Sequence, residues 1–226
     1  MTDFISTINQ MGEFMPSLLK GSVVTVQLFL LTIVLSLPLG FPIALGSNSK
    51  FKVLRGICKT YVWIFRGTPL LLQLFFFYFY LPIAYNIELP AFTAAVVTFV
   101  LNYAAYFAEI YRGGINSIDR GQFEAAHSLG LNNKQTMVDI ILPQTMKAIL
   151  PPVVNETITL VKDTALASVI PVVELMKVSR AGLNRTSSVM PLLLAGLIYL
   201  VMTFVLTIIS NKLEKRFSKY DAKEEW

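Results

Sequence analysis

The sequence predicts an all-α membrane protein with five transmembrane helices, and three observations carry that expectation. Hydrophobic residues make up 54% of the 226-residue chain and charged residues 15%, against about 25% charged in an ordinary soluble domain. The mean hydropathy is +0.61. Five stretches are each apolar over roughly the 20 residues that a helix needs to cross a bilayer.

Those five candidates are Leu19 to Leu45, Thr60 to Leu81, Leu89 to Tyr111, Met146 to Leu166 and Met190 to Ser210. The third is interrupted by Asn102 and Glu109, and the fourth is the least apolar. Ahead of the first lies a predicted interfacial helix over residues 1–18. There Phe4, Ile8, Met11, Met15 and Leu18 recur at spacings of three and four, which puts them on one helical face. The opening MTDFISTINQ lacks a basic n-region and a compact apolar run, so it does not read as a cleavable signal peptide. Residues 19–211 form the membrane domain and residues 212–226 a tail.

Lysine and arginine in short loops set the orientation, because they collect on the cytoplasmic side. Lys50, Lys52, Arg55 and Lys59 follow span one, and Arg112, Arg120, Lys134 and Lys147 follow span three. Lys212, Lys215, Arg216, Lys219 and Lys223 follow span five, whereas the loop after span two carries none. The expected topology has the N-terminus outside and the C-terminus in the cytoplasm. Lys177, Arg180 and Arg185 then fall on the outer side, against the rule.

The polar stretch RGQFEAAHSLGLNNKQTMVDIILPQ, residues 120–144, is therefore cytoplasmic. Gly130 suits a left-handed residue closing one short helix. Asn132 with Gln135 three residues on has the spacing of a capping box that opens a second. Two short helices at an angle are expected, within a loop of about residues 117–143.

Several chemistries are excluded. One cysteine, Cys58, leaves no internal disulfide, and one histidine, His127, leaves no histidine-based metal site. No GxxxxGK[ST] motif occurs, so the chain has no P-loop for a nucleotide. No triad, HExxH or paired-carboxylate pattern points to an enzyme. The net charge of +5 fits a membrane face and not a nucleic-acid partner.

Glu124-Ala125-Ala126, three residues, Gly130, nine residues, Ile140, one residue, Leu142-Pro143 resembles the EAA loop of ABC importer permeases at each defining position. FRGTPLLLQLFFFYFYLP at 65–82, YFAEIYRGGINSI at 106–118 and LVKDTALASVI at 160–170 are similar to the polar amino acid branch of that family. The resemblance implies a type I importer fold in which the EAA loop forms coupling helices. It implies a second permease subunit, identical or closely related, two ATPase subunits and an extracytoplasmic solute-binding protein in a bacterial inner membrane. ATP and magnesium would be held by the ATPase partner, with no cofactor on this chain. Glu124, Ala125, Ala126 and Gly130 would dock on the ATPase.

Polar groups inside a membrane are costly and so mark candidate sites. In span four Asn155, Thr159 and Asp163 repeat every four residues and Glu156 lies beside them. Glu156 needs a cation or a proton, supplied by the substrate's side chain, by a protein Lys or Arg, or by protonation. Asn155, Glu156, Thr159, Ser22, Thr25 and Asn102 are the candidate substrate contacts. Ser22 and Thr25 belong to a hydroxyl stripe with Thr32 and Ser36, whose other reading is bonding to their own backbone. Glu109 and Arg112, three apart, suit an intrahelical ion pair. With Lys162 and Asp163 they are assigned to structure or gating. A zwitterion with a cationic side chain, such as arginine, lysine or histidine, is the expected cargo. A neutral or acidic amino acid such as glutamine is the alternative, and an ATP-independent secondary transporter is a further one. No internal repeat supports that last reading.

Overall fold

The computed structural model describes residues 2–218, with side chains described for residues 12–216. The side chains of the Phe4 to Met11 face, and the tail from residue 219 with Lys219 and Lys223, lie outside what is described. Among the described residues every regular element is a helix. In chain order these are α1 (Thr2–Ser47), α2 (Lys52–Gly67), α3 (Leu70–Tyr85), α4 (Ala91–Asn116), α5 (Arg120–Ser128), α6 (Asn133–Val169), α7 (Leu175–Thr186) and α8 (Met190–Ser218). Four of them, α1, α4, α6 and α8, are long and apolar enough to cross a membrane alone, and α2 with α3 makes a fifth crossing if the bent pair is one span.

The core forms where α1, α3, α4 and α6 meet. Leu28, Leu74, Phe99, Phe107 and Leu160 are fully buried there. Buried Ala104, Ala105 and Ala108 give α4 a small-residue face, which lets helix backbones approach closely in a membrane. Gly40 of α1 exploits that approach. A Cβ at Gly40 would lie 3.0 Å from the Ala104 carbonyl oxygen, the Ala108 nitrogen and Phe107 Cβ. The C-terminal ends of α1 and α4 are joined by Asn48 Nδ2 donating to Asn116 Oδ1 at 3.3 Å. These two helices therefore end on the same side, as their basic loops lead one to expect. By contrast α8 is apolar on nearly all sides, with Leu193, Leu197, Leu200 and Phe204 exposed, as suits a helix bathed in lipid.

Three expectations are corrected. Among the described residues no separate interfacial helix is set off before residue 19, since α1 runs from Thr2 through residue 18 without a break. Phe14 and Leu18 are buried against Leu175, Leu194 and Ala195. Periodicity reveals an apolar stripe but not whether lipid or protein covers it. Span two is not one straight helix. It breaks between α2 and α3 with a bend of 104°, because Pro69 forces Thr68 into an extended conformation (φ −117°, ψ 144°). The second short cytoplasmic helix is not free-standing: Asn133–Gln135 runs through a π-turn, Thr136–Ile141, straight into span four. Pro151 and Pro152 lie inside that helix without ending it.

One helix is missed by the sequence reading. The segment carrying Lys177, Arg180 and Arg185 is α7, not a loop. Its N-cap is Glu174, whose carboxylate accepts from the Met176 amide at 2.8 Å and the Lys177 amide at 2.6 Å.

Candidate functional site

The bend in span two creates the site. Ending α2 at Gly67 frees the carbonyls of its last turn, and one of them, that of Phe65, is answered by two side-chain amides. Gln73 Nε2 donates to the Phe65 carbonyl (2.9 Å), the Thr68 carbonyl (3.2 Å) and Thr68 Oγ1 (2.8 Å). Asn102 Nδ2 donates to the Phe65 carbonyl and to Gln73 Oε1, both at 3.0 Å. Asn102 and Gln73 are buried. The amide of Asn102 thus braces the break.

The broken segment leaves a polar cavity of about 530 Å³ between α2, α3, α4 and α6. Arg66 closes one side, and Asn102, Tyr103 and Tyr106 of α4 form another. Glu156, Thr159 and Asp163 of α6 project from the third. Asp163 Oδ2 accepts a 2.7 Å bond from the Tyr103 hydroxyl, which fixes one carboxylate in place. Thr159 Oγ1 donates to the Asn155 carbonyl at 3.0 Å. Two carboxylates and one guanidinium therefore face a common volume, with hydroxyl and amide groups between them.

A second polar cavity of about 560 Å³ shares Arg66, Gly67 and Tyr106 with the first. It extends past Lys59, Glu109 and Arg112 to Ser47 at the end of α1. The expected pair is present, since Arg112 Nε donates to Glu109 Oε2 at 2.9 Å and Arg112 Nη2 donates to Glu109 Oε1. Arg66 lies 5.3 Å over the Tyr106 ring, a cation–π contact, and its Nη1 is 3.8 Å from Glu109 Oε1.

Of the six candidate substrate contacts, Asn102, Glu156 and Thr159 line the first cavity, joined there by Asp163. Asn155 is exposed and does not line it. Ser22 and Thr25 lie elsewhere. Ser22 Oγ donates to the Leu18 carbonyl at 2.8 Å, and Thr25 Oγ1 accepts from the Leu175 amide at 3.1 Å. Thr32 Oγ1 donates to the Leu28 carbonyl at 2.7 Å, so this stripe is largely internal bonding. Lys162 faces outward, exposed, beside Asp163.

Sequence reading misses Arg66, Tyr103 and Glu174. Arg66 looks like one more basic residue at a helix end, and only the Thr68-Pro69 signal hints that it overlooks a break. Glu174 is fully buried. Besides its cap bonds it accepts from Tyr199 Oη at 3.0 Å and from Thr25 Oγ1 at 3.4 Å. It ties α1, α7 and α8 together.

The element expected on the cytoplasmic side is α5 and the start of α6. Asp119 caps α5 by accepting from the Gly121 amide at 2.6 Å. Gly130 follows α5 with φ +80°, the left-handed conformation that glycine adopts at no steric cost. The capping box of Asn132 and Gln135 is complete. His127 contacts Asn133 Oδ1 at 2.9 Å and the Phe123 carbonyl at 2.6 Å, bonds that hold its pKa above the ordinary value. They join the two parts of the element. Glu124 and Ala125 are solvent-exposed on α5, while Ala126 is buried. Among the described residues no group of His, Cys, Asp and Glu could hold a metal ion.

Residues 36–219 match the model of a family described as binding-protein-dependent transport system inner membrane component. The arginine transport system permease protein of Bacillus subtilis (strain 168) is 40% identical over 220 residues, 97% of this chain and 99% of that one. The L-cystine transport system permease protein of the same organism is 37% identical over 213 residues, covering 93% and 91%. A solved structure described as an amino acid ABC transporter with histidines matches with a TM-score of 0.86 and 35% identity, over 91% of this chain and 96% of that one.

Proposed function

The chain belongs to the family of inner membrane components of binding-protein-dependent transport systems, a permease and not an enzyme, and on that footing we propose that it carries a basic amino acid into the cell. The cargo class is arginine, lysine or histidine. The supporting observation is the charge content of the first cavity. Glu156 and Asp163 supply two carboxylates and Arg66 one guanidinium. A basic amino acid is the complement, with two cationic groups and one carboxylate. In this reading Arg66 takes the α-carboxylate, Asp163 the α-ammonium, and Glu156 the cationic side chain. Thr159 and Asn102 add polar wall. A neutral cargo such as glutamine would leave one carboxylate of the cavity without a counter-charge, a half-buried charge that costs free energy.

Transport requires two arrangements that the ligands tell apart. ATP binding on partner ATPases, where the magnesium and nucleotide reside, closes them against α5. Glu124, Ala125, Ala126 and Gly130 take up that movement. The continuous helix from Asn133 to Val169 then carries it to Glu156 and Asp163 as one rigid lever. A second permease subunit completes the pathway, and an external binding protein delivers the amino acid on the side where the N-terminus lies. The bacterial inner membrane, with the C-terminus in the cytoplasm, is the setting. The name of the arginine relative and the histidines named with the solved transporter favour the same cargo class, whereas the cystine relative favours a neutral one.

The test is uptake by the reconstituted complex, with and without ATP, against a panel of arginine, lysine, histidine, glutamine, glutamate and cystine. ATP-dependent uptake of the basic members above the rest is expected. Preferential uptake of glutamine or cystine would overturn the cargo assignment, and uptake without ATP the coupling.

A further inference from the structure

The second cavity has a charge balance opposite to the first. Lys59, Arg66 and Arg112 line it, against Glu109 alone. Arg112 already grips Glu109 through two bonds. Arg66 reaches Glu109 only at 3.8 Å, with 40% of its side chain exposed. The cavity therefore carries uncompensated positive charge beside a volume of about 560 Å³, large enough for the head of an amino acid. It is also placed along a route. On α4, Asn102, Tyr106, Glu109 and Arg112 follow one another at spacings of four and three residues, on one helical face. From Asn102 to Arg112 the helix rises about 15 Å at about 1.5 Å per residue. The far end reaches Ser47, where α1 ends beside the basic loop.

We propose that Lys59, Arg66 and Arg112 form a second station for the carboxylate of the cargo, between the first cavity and the cytoplasmic side, with Arg66 belonging to both. This rests on the cargo reading above. The amino acid leaves Glu156 and Asp163 while its carboxylate stays held by Arg66, then passes to the field of Lys59 and Arg112. Arg66 turns about its contact with Tyr106, and the carboxylate of the cargo is never without a counter-charge. Glu109 keeps Arg112 in place and limits the excess positive charge, so that the carboxylate is released.

Trp63 lines this cavity and supplies a local signal. Acetate, a carboxylate without an ammonium group, is titrated into the purified permease–ATPase complex at constant ionic strength, with acetamide and chloride as controls and Trp63→Phe marking which emission is local. A saturable change with acetate and none with the controls is expected. Lys59→Gln should weaken acetate about two- to fivefold, the range for a solvent-shared ion pair, and slow arginine uptake at saturation by a similar factor. Lys59→Arg should restore both. Equal responses to acetate, acetamide and chloride, or an acetate response that Lys59→Gln leaves unchanged, would overturn the station. So would Lys59→Gln lowering only the recovery of assembled complex, because the charges would then serve subunit contact. Arginine binding to Glu156→Gln is measured in parallel. Weakened binding there with no acetate site removes the station alone, while unchanged binding removes the cargo reading.

Discussion

Replacing Asn102 by leucine separates two roles for that residue, brace and substrate contact. The side chain is 4% exposed and its Nδ2 makes two bonds at 3.0 Å, to the Phe65 carbonyl and to Gln73 Oε1. Leucine deletes both. The Phe65 carbonyl keeps its bond from Gln73 Nε2 at 2.9 Å, so that loss is about 1 kcal/mol. Gln73 Oε1 is left buried without its donor, at a cost of about 1–3 kcal/mol. Together the change removes about 2–4 kcal/mol, which lowers the midpoint of thermal unfolding by about 4–16 °C for a chain of this length. The assay is thermal unfolding of the purified complex in detergent, with Gln73→Leu and the double variant completing a cycle. A coupling of about 0.5–3 kcal/mol is expected for partners in one network. A midpoint within about 1 °C of the parent, additive variants and a loss confined to arginine affinity would refute the brace.

Two other perturbations act on packing. Glu174→Ala removes the acceptor for two α7 amides, Tyr199 and Thr25. The cap contributes about 0.5–2 kcal/mol and each orphaned buried donor about 1–3 kcal/mol, so a loss of at least about 2 kcal/mol is expected in the same unfolding assay, and an unchanged midpoint would contradict it. Gly40→Val pushes a branched side chain into α4 backbone atoms 3.0 Å from the Cβ position. It should cost about 1–3 kcal/mol or more and reduce the yield of folded complex, whereas Gly12→Val, with nothing near its Cβ, should not.

Much of this architecture is legible in the residues. Spans one, three, four and five are readable because some twenty apolar residues in a row have few alternatives to a membrane. The turn chemistry at Gly130 and Asn132–Gln135 is legible too, since it is decided within a few neighbouring residues. What escapes is whatever depends on distant partners. The stretch 60–81 is as apolar as a straight span, and only Thr68-Pro69 marks the bend. Asn102 reads as a substrate group because its other partner, the Phe65 carbonyl, is freed by that bend. The α7 segment reads as a loop because its basic residues break the charge rule and its short apolar face is covered by α1 and α8. Glu174 carries no local sign of being buried. Asp163 reads as structural beside Lys162, yet its carboxylate enters the cavity because helical spacing sets it seven residues beyond Glu156, on the same face.

The most direct measurement is the affinity of the intact complex for arginine and for glutamine, before and after Glu156→Gln. A hydrogen bond to a charged group contributes about 1.5–3 kcal/mol, so arginine binding should weaken by about 10- to 150-fold at about 1.4 kcal/mol per tenfold. Glutamine, which presents no cation to that side chain, should bind unchanged or more tightly. Equal weakening of both amino acids, or arginine affinity that survives the substitution, would contradict the account.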